Sequence, residues 1–492
     1  MDMRAQPSRR SFVRAVSLGA LVVGFDGATR AWAAAGSPAV GLDRVPRLDG
    51  RLLFDPAELA PFEDDFGHIV HRTPRAVLEP GSVHDIAEMI AFCGPRRIPV
   101  APRGQGHQTF GQAQVDGGLV IDLTPLNAIT VDAAAGTVSA GAGALWHAVL
   151  NAALAQGLTP PVFTDYIELS IGGTLSAGGF GGATHHHGAQ VDTVIDLDIV
   201  TGAGDLRTCS ATQNPDLFHA ALAGLGQVGV ITRATLQLVP APTSVRQYNL
   251  TYPTAAALTA AQRKVVLDGR FDWLEGAVNP LAGGGWQYVL EGAKYYDATP
   301  PDDNALIGDL AFQGQPQIQD FAYADFIDVL APAVAFLQST GEWYDPHPWL
   351  NIFLPDAATD AYVTTTMAGL TTADIGASGV VLLYPVPTSK LTAPLLRVPD
   401  SELTFLFAVL RTAAPDTGAL PATTMVAGNR TLFLQAQAVG GTQYPVGSIP
   451  MTQADWRIQY GPQWQFFSAA KQRFDPYRIL TPGQGIFPEP GQ

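Results

Sequence analysis

Three short stretches concentrate the residue types that do chemistry. In Arg103-Gly104-Gln105-Gly106-His107-Gln108-Thr109, two glycines let backbone amides approach a ligand while one imidazole projects from the same turn. Successive amides in such a loop can cradle a pyrophosphate. Read locally, His107 is open to two assignments, a functional imidazole or an ordinary surface or core histidine. Gly224-Leu225-Gly226-Gln227-Val228-Gly229 fits the dinucleotide spacing G-x-G-x-x-G. That fingerprint needs a strand before it and a helix after it, so that the helix N-terminus faces the pyrophosphate. Here a helical segment at 216–223 precedes the glycines and an alternating strand at 230–238 follows, so a tight helix-to-strand turn is expected instead of a nicotinamide site. His185-His186-His187 sets three imidazoles in a row. On an extended segment they would alternate faces and not converge on one ion, and no Cys or carboxylate stands at a ligand spacing, so no metal is expected.

These residues need elements to hold them. Residues 69–143 alternate short apolar strands with turns and one helix, for which Ser82 with Asp85 makes an N-terminal cap and Gly94-Pro95 a stop after Cys93. A short strand at 98–101, the glycine-framed loop at 102–114 and a strand at 118–123 follow. Residues 129–140 read as two strands about a turn at Ala135-Gly136, and 145–156 as a second helix. The glycine-rich stretch 164–188 is expected to be a loop, and a loop of that length inside a compact domain is usually functional. Strands at 194–200, 206–209 and 230–239 precede a break at Pro240-Ala241-Pro242. Beyond it, residues 244–445 form a second region, richer in aromatics and longer helices, before a short Pro/Gly-rich close. The pattern predicts a turn-rich α+β enzyme.

Composition bounds the partners. A chain of 492 residues, 47% hydrophobic, buries a large core and divides into two or more domains. Its formal charge of -16, from 28 Lys+Arg against 44 Asp+Glu, repels phosphate backbones, so nucleic acid is not an expected partner. Cys93 and Cys209 are the only cysteines and allow at most one bridge. Ser8-Arg9-Arg10-Ser11-Phe12-Val13, an apolar stretch at 15–25 and Ala31-Trp32-Ala33 follow one another in the order of a twin-arginine signal. Residues 1–35 are therefore expected to be a cleaved address that exports an already folded protein to the periplasm or beyond. The apolar part is about half the ~20 residues a membrane span requires, and no later segment is long and apolar enough.

Five ordered blocks carry a resemblance: RGQGHQTFGQAQ at 103–114, FTDYIELSIGGTLSAGG at 163–179, DLFHAALAGLGQVGVITRATLQLVPAP at 216–242, DPHPWLNIFLP at 345–355 and FDPYRILTPGQGIF at 474–487. Together they resemble the cytokinin dehydrogenases, within the vanillyl-alcohol-oxidase-like and berberine-bridge-like flavoproteins. The likeness runs from about residue 70 to the C-terminus and is looser between about 280 and 440. It implies an α+β, two-domain FAD-binding fold of the vanillyl-alcohol-oxidase type, with an antiparallel-sheet-plus-helices substrate domain. The FAD-binding domain would be 36–243, the substrate domain 244–445, and 446–492 would return to the first.

The resemblance also implies roles. His107 matches the histidine bonded to the flavin 8α-methyl carbon, and with no cysteine between Thr164 and Gly188 a single tether is expected. Arg103, Gly104, Gln105, Gly106, Gln108 and Gln112 match the loop that wraps FAD. Ser170, Thr174, Ser176, Phe180, Ile231, Tyr444, Thr481 and Gln484 match further flavin contacts. Asp165 matches a catalytic aspartate that also touches cofactor and substrate. Glu275 resembles a glutamate that binds a purine at the mouth of the site, and Trp349 and Asn351 match the lining of the same slot. The implied reaction is hydride removal from a CH-NH donor such as an N6-substituted adenine, giving an imine that water splits into adenine and an aldehyde, with a quinone or O2 as acceptor and a monomeric chain. An alcohol, sugar or alkaloid amine is the alternative substrate. A binding protein that holds a flavin or purine without chemistry is the reading from another class.

Overall fold

The computed structural model describes residues 22–26, 31–34, 42–281, 283–414 and 417–488. The Arg9-Arg10 pair lies outside them. Val22–Asp26, Ala31–Ala34 and Leu42–Arg44 form a small antiparallel sheet that joins no other described strand.

Two larger sheets precede residue 244, beside a two-stranded pairing of Leu158–Thr159 with Val239–Pro240. In the first, β1 (Arg51–Leu53), β2 (Ala76–Glu79), β3 (Val100–Arg103) and β4 (Leu119–Asp122) take the order β1-β2-β4-β3, with β2, β4 and β3 parallel. Parallel strands covered on both sides should be continuously apolar, and β4 is buried at every position. The glycine-framed loop begins at the C-terminal end of β3. In the second sheet, β5 (Ile129–Asp132), β6 (Thr137–Gly141), β7 (Val194–Thr201), β8 (Leu206–Ser210) and β9 (Gly229–Gln237) pair antiparallel in the order β8-β7-β9-β6-β5.

Local structure departs from expectation in three places. The helix Val83–Arg96 runs through Gly94-Pro95 instead of stopping after Cys93. Pro95 sits in the last turn, where it removes a single helix bond, and Arg97 (φ 55) takes the left-handed cap position that glycine usually fills. Gly94 answers a different need, because a Cβ there would lie 2.5 Å from the Tyr477 ring. Ser82 makes no capping bond and donates instead to Asp49, while Asp85 accepts the backbone N–H groups of Asp49, Gly50 and Gly81, each at 2.8 Å. The stretch 164–188 is not one loop: Ile171–Ala177 and Thr184–His187 are helical. Glycine there serves close packing, since a Cβ on Gly172 would come within 2.8 Å of Ala142. The three histidines consequently lie on a helical turn, not an extended segment. Cys93 and Cys209 are buried and unbridged.

Past residue 243, eight strands form one antiparallel sheet: β10 (Ser244–Tyr252), β11 (Trp273–Pro280), β12 (Trp286–Tyr296), β13 (Gln313–Ala322), β14 (Leu350–Pro355), β15 (Val380–Pro387), β16 (Leu403–Leu410) and β17 (Thr442–Gln443), in the order β13-β10-β12-β11-β15-β16-β14-β17. Successive strand residues point to opposite faces, and the sequence uses both. Leu250, Leu274, Leu290, Ile352, Leu383 and Phe407 pack beneath the sheet's own helices. The other parity, including Ala293, Phe353, Tyr384, Leu406 and Ala408, joins the core of the first region. That second face roofs the groove described below.

The C-terminal segment closes back onto the first region. Val100 bridges Leu480 in parallel, so 479–484 lies beside β3. Lys471 and Asp475, 3% and 0% exposed, pair at 2.8 Å. Lys471 also donates to the carbonyls of Gln227 and Leu480, and Asp475 accepts from the amides of Ile479 and Leu480. This knot fixes the 224–229 turn against 479–481. Lys471→Ala leaves Asp475 as an uncompensated buried charge and should cost about 3–5 kcal/mol. A lowered urea midpoint of the holoprotein checks this; an unchanged midpoint contradicts it.

Candidate active site

One groove gathers the C-terminal end of β3, the 164–180 segment, the 224–231 turn, the sheet roof and the C-terminal segment. All sixteen positions matched to flavin contacts line it, from Arg103 and His107 to Thr481 and Gln484, and so do Trp349 and Asn351. Glu275 does not.

The floor is low because it is glycine. A Cβ on Gly104 would stand 2.0 Å from Ser170 Oγ. Several contact side chains are committed to holding the walls. Arg103 turns its guanidinium outward to the carbonyls of Pro61 and Asp64, Gln112 donates to Gly447, Thr174 accepts from Trp146, Thr481 donates to Gly226, and the Tyr444 hydroxyl accepts from the Gly179 amide. Gln108 Oε1 and Asn351 Nδ2 are buried without a partner. Buried polar atoms are seldom left unpaired in native structures, so unpaired groups lining a groove mark where a polar ligand completes the bonding. The glycine floor and these two orphaned atoms fit a flat, amide-bearing cofactor such as FAD. The 224–229 turn is not a dinucleotide fingerprint: helix Pro215–Ala221 precedes it and β9 follows, as the sequence order required. Leu225 and Gly226 nevertheless line the groove.

His107 stands in an aromatic box. Phe66 stacks on it at 4.0 Å and on His347 at 4.0 Å from the other side. Tyr166, Trp349 and Trp343 complete the surround at 5.0, 5.8 and 6.0 Å. Burial, then the neighbouring His347, pushes the His107 pKa down to about 3, so the ring is neutral at physiological pH and keeps a nitrogen lone pair. The 66–67 segment is held to the loop by bonds from Phe66 N–H to Gly106 and from Gly67 N–H to Gln108.

Asp165 and Glu275 meet at the roof. Asp165 lines the groove; Glu275, 3% exposed on β11, lies behind it. The expectation that Glu275 sits at the mouth is therefore corrected. Its parity on β11 turns it, with Trp273, toward the first region, and the carboxyl is sealed against Asp165. Burial raises both acids, and for Glu275 the charge of Asp165 raises it further, to well above the usual range. Their mutual hydrogen bond lowers Asp165 and raises Glu275, so within the pair Glu275 is the group that keeps its proton and Asp165 the one that gives it up first. Across the ladder, Glu291 on β12 faces Glu275.

The three-histidine turn is structural. His185 contacts the carbonyls of Gly182 and Phe271, and His186 contacts the same Phe271 carbonyl at 2.6 Å. Among the described residues no group of His, Cys, Asp or Glu is arranged to hold a metal, and no helix is long and apolar enough to cross a membrane.

Comparison with known proteins follows the same lines. Residues 279–487 match the family described as cytokinin dehydrogenase 1, FAD and cytokinin binding, and residues 74–210 match the FAD binding domain family. An oxidoreductase of the fasciation locus of Rhodococcoides fascians is 42% identical over 433 residues, covering 87% of this chain and 97% of its own. Cytokinin dehydrogenase 7 of Oryza sativa subsp. japonica is 35% identical, covering 89% and 92%; cytokinin dehydrogenase 2 of Arabidopsis thaliana is 32% identical, covering 92% and 96%. Among solved structures, 6-hydroxy-D-nicotine oxidase from Arthrobacter nicotinovorans shares the fold, with a TM-score of 0.67 at 19% identity over 88% of this chain and 97% of the oxidase.

Proposed function

The chain belongs to the cytokinin dehydrogenase family of FAD-dependent oxidoreductases, and from that premise we propose that it oxidises the CH-NH bond of an N6-substituted adenine to an imine, which water splits into adenine and an aldehyde. The observation that carries this reading is the Asp165–Glu275 pair: a groove-lining carboxyl hydrogen-bonded to a buried carboxyl behind it that holds its proton more tightly. FAD bound along the glycine floor supplies the two-electron hydride acceptor. Asp165 takes the proton from the substrate nitrogen as the adjacent C–H bond breaks, which relieves the charge growing on that nitrogen. Leu330, Leu382, Leu406, Ala408 and Leu410 give the groove apolar lining suited to an alkyl substituent, and Trp349 and Asn351 line the same groove.

His107 is the tether in this reading, bonded through its neutral ring to the flavin 8α-methyl carbon as a single histidyl linkage. Such a bond prevents cofactor loss outside the cell, which suits export of a folded monomer through the twin-arginine pathway to the periplasm or medium. Electrons would pass on to a quinone or O2. Turnover with a dye acceptor separates the substrate classes. N6-alkyl adenines should be consumed with adenine as product, and alcohols and sugars should not; the reverse order of activity would replace the adenine reading with the alcohol or sugar one.

A further inference from the structure

The catalytic pair must lose a proton in every cycle, and Glu275 is buried beneath the sheet behind Asp165. The strand register offers a way out. Residues directly opposite one another on neighbouring strands share a face with Cβ atoms about 4.5–5.5 Å apart. Glu275 on β11 faces Glu291 on β12, Glu291 faces Asn249 on β10, and Asn249 faces Gln317 on β13. The row passes from buried Glu275 through half-buried Glu291 and Asn249 to exposed Gln317 on the edge strand. Asn249 Oδ1, next to Glu291 in this row, is a buried acceptor with no donor. An acceptor left beside a carboxyl is the arrangement a mobile proton or a bridging water completes.

We propose that Glu291 is a proton-relay residue, which takes the proton that the Asp165–Glu275 pair acquires from substrate and releases it to solvent along the Asn249–Gln317 row. The inference rests on the amine-oxidising reading above. The step balances: the hydride carries two electrons to the bound flavin, and the N–H proton passes to Asp165. Glu275 then gives its carboxyl proton to Glu291, Asp165 returns the new proton to Glu275, and Glu291 gives one proton to water. Asp165 is ionised again and the pair again holds one proton.

Glu291 is placed to titrate in the working range. Burial, then the charge of Asp165, pushes it up to about 7. The charge acting on it is that of Asp165 from the 164–180 segment; Glu275, which Glu291 itself raises, faces it from β11, Asn249 faces it from β10 as a neutral group, and among the described residues no basic side chain acts on it. Below about pH 7 it is protonated and cannot accept, so turnover should rise with pH through that point.

The test uses holoprotein carrying Glu291→Gln, with N6-benzyladenine as substrate and an excess of dye acceptor. The first anaerobic reduction, which begins with Asp165 already ionised, should stay within about 3-fold of wild type, while kcat falls about 10²-fold. The rise near pH 7 should vanish, the solvent deuterium effect on kcat should grow, and added formate or Glu291→Asp should restore turnover. An unchanged kcat and pH profile would overturn the relay, as would equal losses in first reduction and kcat without rescue. If wild type is not reduced by any N6-substituted adenine, the substrate reading fails, and the relay is judged without substrate. An infrared carboxyl band titrating near neutral pH in wild type and missing from Glu291→Gln supports it; identical titrations overturn it.

Discussion

Asp165→Asn is expected to slow anaerobic flavin reduction by roughly 10²–10⁴, the loss typical of a removed general base. The substitution keeps the side chain's shape and leaves a hydrogen-bonding group against Glu275, so the roof stays intact and flavin content should match wild type. What disappears is the acceptor for the nitrogen proton. In wild type the reduction rate should fall as pH drops and Asp165 takes up a proton. The sign follows from the pair: burial raises Asp165, and only its ionised form accepts. Asp165→Asn should lose that acid limb altogether. Stopped-flow reduction across pH measures both effects, and a variant that reduces at the wild-type rate removes Asp165 from the mechanism.

The second large effect concerns attachment. On a denaturing gel, wild type should carry a yellow, fluorescent flavin band, and His107→Ala should carry none, with all flavin released by acid or denaturant. The groove retains its glycine floor and its orphaned Gln108 and Asn351 atoms in the variant, so purified His107→Ala should still bind FAD reversibly. The tether needs a nucleophilic, unprotonated imidazole. Its burial between Phe66 and the flanking aromatic rings supplies one, holding the pKa near 3. A flavin band that persists without His107 would move the linkage to another residue.

Much of this site was legible in the sequence because it lies in contiguous blocks. The loop 103–114 is a strand end followed by glycines, and its ligand-facing residues follow one another in the chain; so do those at 163–180. The reversed helix-turn-strand order around 224–229 was enough to refuse a nicotinamide site, although the turn's contribution to the groove wall was not visible. What could not be read locally depends on register between distant segments. Phe66 and His347 reach His107 from 41 residues before it and far beyond it, and no periodicity links them. Glu291 becomes meaningful only when β12 is laid against β11. Glu275 was misplaced for a related reason: the resemblance alone put it at the mouth, and only the two-faced burial of the sheet turns it inward. Gly172 suggested a loop because its close-packing role beside Ala142 is a tertiary fact.

The most direct measurement is anaerobic mixing of the purified yellow protein with an N6-substituted adenine, followed at the flavin absorption band with product analysis. The account predicts bleaching within one turnover, with one adenine and one aldehyde recovered per flavin. A flavin that stays oxidised with every N6-substituted adenine, or protein that purifies colourless and takes up no FAD, would contradict it.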